Sequence, residues 1–447
     1  MKLKLTIIGL SVLCLPLIAQ ALSLKQCIEY AKHNSSNIKI ALLEFEVSGR
    51  KISERIGTTL PQIDVSGSLE NNLKLTTQLM PGELLGKPGT TVAVEMGTKY
   101  DANGGIELTQ KIIDPSFWVG LKAAKISKLQ AQKNMQKTEE ETYYDVSEAY
   151  YKALIIQKQL NNLKVVLAVS EQSLKSTELK YENGLVKKID VDKIKVSYNS
   201  TNSQMQQTEL NYKQFLNNLK YVMGMPADST MVLSDSLFEI EPTDSESSYS
   251  NEKYLENRID YQLQKINLSL QTVDKTNNIA AYLPTLSLYA NYNYQAMRSE
   301  FDFLKSGKQW YRNSAVGLQL KIPIFSGFQR LSKVSQSQLN IEKAKENIKL
   351  KEQSIKVEIS NYEIQYRTAL DNIENEKENL ALAESVYRST QQEFKQGTSS
   401  SLDLVQAESS FRETQNNYYN KLLNLYTAKL DLEKSKGTLV SFINNLK

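Results

Sequence analysis

A chain of 447 residues with 54 Lys and Arg against 50 Asp and Glu carries a formal charge of +4, too little to argue for nucleic acid as a partner. A single histidine and two cysteines leave no common clustered metal site and no disulfide scaffold, so no cofactor is expected. No glycine-rich phosphate loop ending in Gly-Lys-Ser/Thr occurs, and acid pairs such as Glu139-Glu140 have no partner base, so the chain does not read as an enzyme.

Residues 1–21 read as a signal peptide. Met1-Lys2-Leu3-Lys4 is a short basic start, Leu5 to Ile18 is largely apolar, and Ala19-Gln20-Ala21 places small residues at the two positions a signal peptidase reads. The apolar run is short for a membrane span, and the bulky Leu13 before Cys14 argues against a lipid anchor there. A mature chain starting at Leu22 keeps Cys27 as its only thiol, and loss of Lys2 and Lys4 lowers the +4 charge by two. His33 lies in a polar stretch and reads as a core or surface residue.

Residues 22–225 form a first repeat. Ile63, Val65, Gly67 and Leu69 alternate with Asp64, Ser66, Ser68 and Glu70, and Ile106, Leu108 and Ile112 alternate with polar residues. This two-residue period predicts strands over about 62–76 and 103–113, joined by a loop over 77–104 rich in glycine and proline. A run free of proline then predicts a helix over about 116–182, roughly 95 Å at 1.5 Å per residue. Ile156, Leu160, Leu163, Leu167, Ser170 and Leu174 mark a coiled-coil seam on it. The helix stops at Gly184, and a return helix over about 188–222 makes an antiparallel hairpin. Residues 226–250 are acidic and serine-rich and read as an extended equatorial linker.

The second repeat, 251–440, says nearly the same thing again. Strands are expected over about 285–297 and 314–325, a long helix over 329–395, a return helix over 401–436 and a tail over 441–447. Leu160, Leu167, Leu174 and Tyr181 map onto Ile373, Leu380, Tyr387 and Phe394 at a constant offset of 213 residues. Ala407, Phe411, Thr414, Tyr418 and Leu425 lie in register on the return helix. Lys187-Lys188 and Ser399-Ser400-Ser401 therefore occupy equivalent turns, which points to a functional tip. Trp118, Tyr282 and Tyr311 near strand ends suit a headgroup layer.

Strands of this length match those that cross a membrane at a tilt, where an unpaired edge costs several kcal/mol per backbone group. Four strands cannot close around a conduit, so several copies must supply one barrel. A soluble or peripheral coiled-coil stalk and a passive porin-like channel are the alternative readings.

The chain resembles the TolC family of outer-membrane efflux and secretion channels. The likeness rests on Leu22-Ser23-Leu24 with Cys27-Ile28 and Ala31, the twin Leu60-Pro61 and Leu283-Pro284, the exit Pro323-Ile324-Phe325-Ser326-Gly327-Phe328, and the Gly397 to Leu404 turn. It implies a mixed α/β membrane protein in the Gram-negative outer membrane: a homotrimeric β-barrel continued by a periplasmic coiled-coil tunnel. It further implies the exit duct of a tripartite efflux pump or type I secretion system. Its partners would be outer-membrane lipid, a periplasmic adaptor (membrane fusion) protein and an inner-membrane transporter of the RND, ABC or MFS type. By the same resemblance Asn183-Gly184-Leu185 and Gln396-Gly397-Thr398 are adaptor-contacting tips. Asp403 matches an acidic position of the family's narrow entrance, Gln406 stands where a second acid is usual, and Asp190 and Asp192 add charge from the first repeat.

Overall fold

Proline and aspartate punctuate the chain where one backbone period gives way to another. The computed structural model describes residues 21–86, 88–234 and 252–445; most of the signal peptide, including Cys14, and most of the acidic linker lie outside the described residues. In chain order, β1 (Ala21–Leu22), α1 (Leu24–Asn34) and α2 (Ser36–Gly57) lead to β2 (Gln62–Asn71), β3 (Thr76–Pro81), β4 (Thr91–Met96) and β5 (Tyr100–Ile113). Next come α3 (Pro115–Glu182), α4 (Lys188–Met223) and β6 (Val232–Leu233). The second repeat holds α5 (Glu252–Asn257), α6 (Ile259–Ala280), β7 (Thr285–Arg298), β8 (Tyr311–Lys321), α7 (Gln329–Gln396), α8 (Ser401–Ser435) and α9 (Leu439–Asn445). Two compact units result: Phe45–Ala131 with Gln264–Asn347, and Met1–Glu44 with Gln132–Leu263 and Ile348–Lys447.

In the first of these units four antiparallel strands form a sheet in the order β2-β5-β7-β8. Its register sorts the side chains by polarity. Ile63, Leu108, Ala290 and Val316 share one row of one face, and Asp64, Glu107, Asn291 and Ala315 share a row of the other. Val65 and Val316 are 78% and 75% exposed, so the apolar face has nothing of its own chain over it. β2 and β8 are the margins of the sheet.

The strand expected over 62–76 ends at Asn71. Asn72 leaves the ladder: its N–H donates to Lys99 O at 2.7 Å, and its Nδ2 donates to Thr98 O at 2.9 Å and to Asp101 at 2.8 Å. The stretch expected as a loop over 77–104 instead holds a separate hairpin, β3 paired with β4 from Thr76↔Met96 to Pro81↔Thr91, and the N-terminal part of β5. Its glycines and prolines mark the turns of that hairpin, not its whole length. The strand expected over 314–325 runs from Tyr311 and stops at Lys321, because Pro323 has no N–H to donate to a ladder.

Helix α3 starts at Pro115, where a missing N–H costs nothing, and Asp114 accepts from Ser116 N–H at 3.1 Å as its cap. The equivalent handover before α7 uses two left-handed residues, Gly327 and Phe328.

In the other unit a core gathers Cys27 and Ala31 of α1, Val146, Tyr150, Tyr151 and Leu154 of α3, Leu219 and Met223 of α4, and Tyr426 and Leu430 of α8. Tyr151 and Tyr426 stack with centroids 4.6 Å apart. Cys27 is fully buried, and burial pushes its thiol up to about 12, so it is packing rather than reactive. His33 is exposed beside Glu29. Glu139 and Glu140, read as part of a solvated helix, are half-buried, and that burial raises both carboxyls. Of the tail expected over 441–447, residues 441–445 belong to α9, which buries Leu439 and Ile443 in the core, and the last two lie outside the described residues.

The seam of α3 also shifts from expectation. Leu167 and Leu174 are only half-buried, whereas Val166, Ser173 and Thr177 are buried with Leu160, Leu163 and Ser170. Ser173 and Thr177 donate to Val169 O and Ser173 O one turn back, which satisfies their hydroxyls inside the contact. On α8, Thr414 and Tyr418 are half-buried while their neighbours Gln415 and Tyr419 are buried.

Gly224 ends α4 in a left-handed conformation, and a Cβ there would lie 2.5 Å from Asn34 O. Gly224→Val should therefore cost more than the roughly 1–2 kcal/mol of the backbone conformation alone and lower the thermal midpoint read by circular dichroism at the helical minimum. Gly57→Ala, with open space around its Cβ, should leave that midpoint unchanged or slightly raised.

Candidate functional site: the paired hairpin turns

Both long helices end in the same hydrogen-bonded device. Leu185 N–H donates to Lys180 O at 2.8 Å and Gly184 N–H to Tyr181 O at 2.9 Å; Thr398 N–H donates to Glu393 O at 3.0 Å and Gly397 N–H to Phe394 O at 3.2 Å. This is the Schellman pairing, which needs a left-handed residue just past the helix, and Gly184 and Gly397 adopt φ of +73° and +83°. A Cβ on either glycine would meet nothing within 4 Å, so both turns face open space. Asn183, Gly184, Leu185, Gln396 and Gly397 are exposed, Leu185 to 74%. Thr398 is exposed too, and its hydroxyl donates back to Glu393 O at 3.2 Å.

The return helices differ in how they begin. Ser400 and Asp403 form a complete capping box before α8: Ser400 Oγ accepts from Asp403 N–H at 3.2 Å, and Asp403 accepts from Ser400 N–H at 3.1 Å. Ser400 Oγ–H also donates to Asp403 at 2.7 Å. Before α4 the cap residue is Lys187, whose ammonium has no acceptor, so only the reverse half exists, Asp190 accepting from Lys187 N–H at 3.3 Å. Asp190 instead spends its other oxygen on the second repeat, accepting from Ser401 Oγ–H at 2.6 Å. Lys180 adds a second bridge, donating to Phe394 O at 3.4 Å with its ammonium 5.3 Å from that ring.

Behind the turns, Val166, Ile194, Leu404, Ala407 and Phe411 pack with Tyr387 and Phe394, and Tyr387 stacks on Phe411 at 5.4 Å. One carboxylate is buried nearby: Glu408 accepts from Ser197 Oγ at 3.2 Å and Thr201 Oγ1 at 2.9 Å. Of the four entrance residues read from the sequence, Asp190 and Asp403 each sit in a turn network. Asp192 and Gln406 are exposed, and among the described residues no hydrogen bond or ion pair joins them to the other two. Lys180 and Glu408 escaped the sequence reading. Ser401 was read as part of the serine-rich turn, where the offset of 213 makes it the equivalent of Lys188, but not as a partner of Asp190.

The Ser401 hydroxyl, then the Lys187 N–H and the ammonium groups of Lys193 and Lys187, hold the Asp190 carboxyl below its usual range. The Ser400 hydroxyl and N–H, with Ser399, do the same for Asp403. A depressed carboxyl contributes stability above its unfolded value of 3.8 and loses it as pH falls through the folded value. Amide exchange at residues 183–190 and 396–403 should accelerate relative to the rest of α3 and α7 as pH drops below about 4, after correction for intrinsic exchange. Asp190→Asn and Asp403→Asn should each flatten that dependence in its own turn, and an unaltered dependence in both variants would refute the assignment.

Among the described residues no group of three or more His, Cys, Asp or Glu is placed to hold a metal ion. The outer membrane efflux protein family matches residues 27–225 and 252–438. The chain is 21% identical over 337 residues to the outer membrane protein TolC of Vibrio cholerae, covering 75% of this chain and 77% of that protein. It is 20% identical to the protease secretion protein PrtF of Dickeya chrysanthemi, covering 94% and 89%. The CmeC outer membrane channel of Campylobacter jejuni shares the fold with a TM-score of 0.72 at 18% identity, over 93% of this chain and 86% of that one. With nearly all of both repeats matched, the chain belongs to the outer membrane efflux protein family and is an outer-membrane exit duct, not an enzyme.

Proposed function

We propose that three copies of this chain close one barrel, that their paired turns dock a periplasmic adaptor, and that Asp190, Asp192, Asp403 and Gln406 surround the periplasmic entrance. The observation that carries the reading is the pair of open margins, β2 and β8, flanking a sheet with one apolar face. The open margins ask only that several copies close one barrel; the number three is what the resemblance to the TolC family implies. With no nucleotide site of its own, the duct takes its driving force from an inner-membrane transporter of the RND, ABC or MFS type reached through the adaptor. The family name speaks of efflux and PrtF of protease secretion, so the class of cargo follows that transporter.

Mass photometry of detergent-extracted protein should give the trimer mass, and a monomer with native far-UV circular dichroism would sink the reading. Photo-cross-linkers at Leu185 and Thr398 should capture an adaptor in cells. Gly184→Trp and Gly397→Trp should abolish that capture, since the added bulk projects into open space rather than into the fold.

One carboxylate per protomer, repeated around a narrow ring, focuses negative potential and attracts cations. Asp403→Asn, which retains an acceptor for the Ser400 N–H, should reduce cation selectivity and sensitivity to periplasmic divalent ions in planar bilayers. Unchanged selectivity in a correctly assembled variant would reduce Asp403 to a helix cap.

A further inference from the structure

The apolar face of the sheet ends, on the side of the β7–β8 loop, in a group of residues that hydrocarbon would not favour. Register puts Arg312 directly opposite Tyr294, two residues beyond the Ser314 that faces Tyr292, on the same face as Val316 and Leu318. With Lys308 and Trp310 from the loop they line an open depression of about 540 Å³. The helices α2, α3, α6 and α7 join the sheet at its other end, so in an outer-membrane duct with periplasmic helices this depression lies at the outer leaflet, facing lipid.

Arg312 is exposed, its guanidinium 5.3 Å from the Tyr294 ring centroid, and among the described residues no carboxylate pairs with it. A guanidinium stacked on a ring keeps its N–H edge free for two oxygens of one phosphate. Lys308 is held in place by Asp302, whose buried carboxylate lies 2.6 Å from Lys308 Nζ and forms an ion pair with Arg298, 3.2 Å from its Nε. Arg298 also donates to Gln309 O at 2.5 Å, Phe301 meets Phe303 edge to face and Phe303 lies tilted against Trp310, so the loop bearing Lys308 is fastened from several sides. Asp302 is thus shared between two cations, and Lys308 retains donors toward the depression. Two cations and two aromatic rings at the rim of a lipid-facing sheet constitute a headgroup site rather than a lumen feature. β8 is a sheet margin, but a neighbour's strand would pair with its backbone and leave this face open.

We propose that Arg312 and Lys308, framed by Tyr294 and Trp310, bind a phosphate of the phosphorylated glycolipid that forms the outer leaflet. The assignment rests on the outer-membrane placement and not on the trimer number or the adaptor. Native mass spectrometry of the assembled protein with diphosphorylated lipid A, with its fully dephosphorylated form and with sodium phosphate separates the sources. Occupancy by the diphosphorylated lipid should fall about tenfold in the Arg312→Gln/Lys308→Gln double variant, and the dephosphorylated lipid should bind the unaltered protein as weakly as the variant binds the phosphorylated one. Millimolar inorganic phosphate should not displace the lipid. Equal occupancy in variant and parent, or equal retention of the dephosphorylated form, would overturn the site; displacement by inorganic phosphate would make it a free-anion site and overturn the lipid assignment. The oligomer mass in the same spectra shows that the variant has assembled. Since the chain has two tryptophans, a Trp118→Phe background leaves Trp310 as the reporter, and its emission should shift with the phosphorylated lipid only.

Discussion

Among the described residues no strand pairs with the outer margins of β2 and β8, and hydrocarbon offers their N–H and C=O groups no partner. Every other feature of the membrane part follows from that deficit. The four strands are useful only as a fraction of a closed barrel, so the folded state is tied to assembly and its stability to protomer concentration. No described helix is long and apolar enough to cross a membrane. The apolar row of Ile63, Leu108, Ala290 and Val316 then has to face lipid, because the opposite row of Asp64, Glu107 and Asn291 cannot.

Duplication solves the geometry of the helical part but leaves its chemistry free to diverge. Gly184 and Gly397 hold equivalent left-handed positions, and the two backbone hydrogen bonds that close each turn correspond. Beyond the turns the copies part company. The second copy has a serine at its cap and closes a full capping box, so Asp403 is committed to its own helix. The first copy has Lys187, which cannot accept from the Asp190 N–H, and Asp190 takes the Lys187 N–H on one oxygen and the Ser401 hydroxyl of the other hairpin on the second. One aspartate thus closes its own helix start while its counterpart also ties two hairpins together.

How much of this was legible in the sequence depended on the length over which a pattern repeated. The strands around Val65 and Leu318 and the two helices of 68 residues could be read because period two and period three-to-four persisted for many residues. The β3–β4 hairpin was lost because Pro81, Pro88 and Gly89 dominated a short segment whose strands are six residues each. Helix α1 went unassigned although Ser23 and Gln26 spell its capping box, a signal that can be read without the structure. On α3 the expected Leu160, Leu163 and Ser170 are buried, but Leu167 and Leu174 were favoured over Ser173 and Thr177, whose hydroxyls bond within their own helix. The link from Asp190 to Ser401 joins residues 211 apart, and no local pattern encodes it.

Seams that rich in small polar residues raise the question of what fixes one helix lengthwise against another. Apolar contacts between α4 and α8, such as Ile194 with Ala407, tolerate sliding because dispersion has little direction. Glu408 does not. Its buried oxygen takes hydroxyls from Ser197 and Thr201, one turn apart on α4, and a displacement by one residue would leave a desolvated carboxylate without either. Arg412, one turn along α8, reaches Gln204 of α4 at 2.8 Å and lies 3.9 Å from Glu408, so the same register is read twice. The polar interior of this helix pair thus supplies direction where the apolar cluster behind the turns supplies adhesion, and the position of Ser401 opposite Asp190 is set by that register.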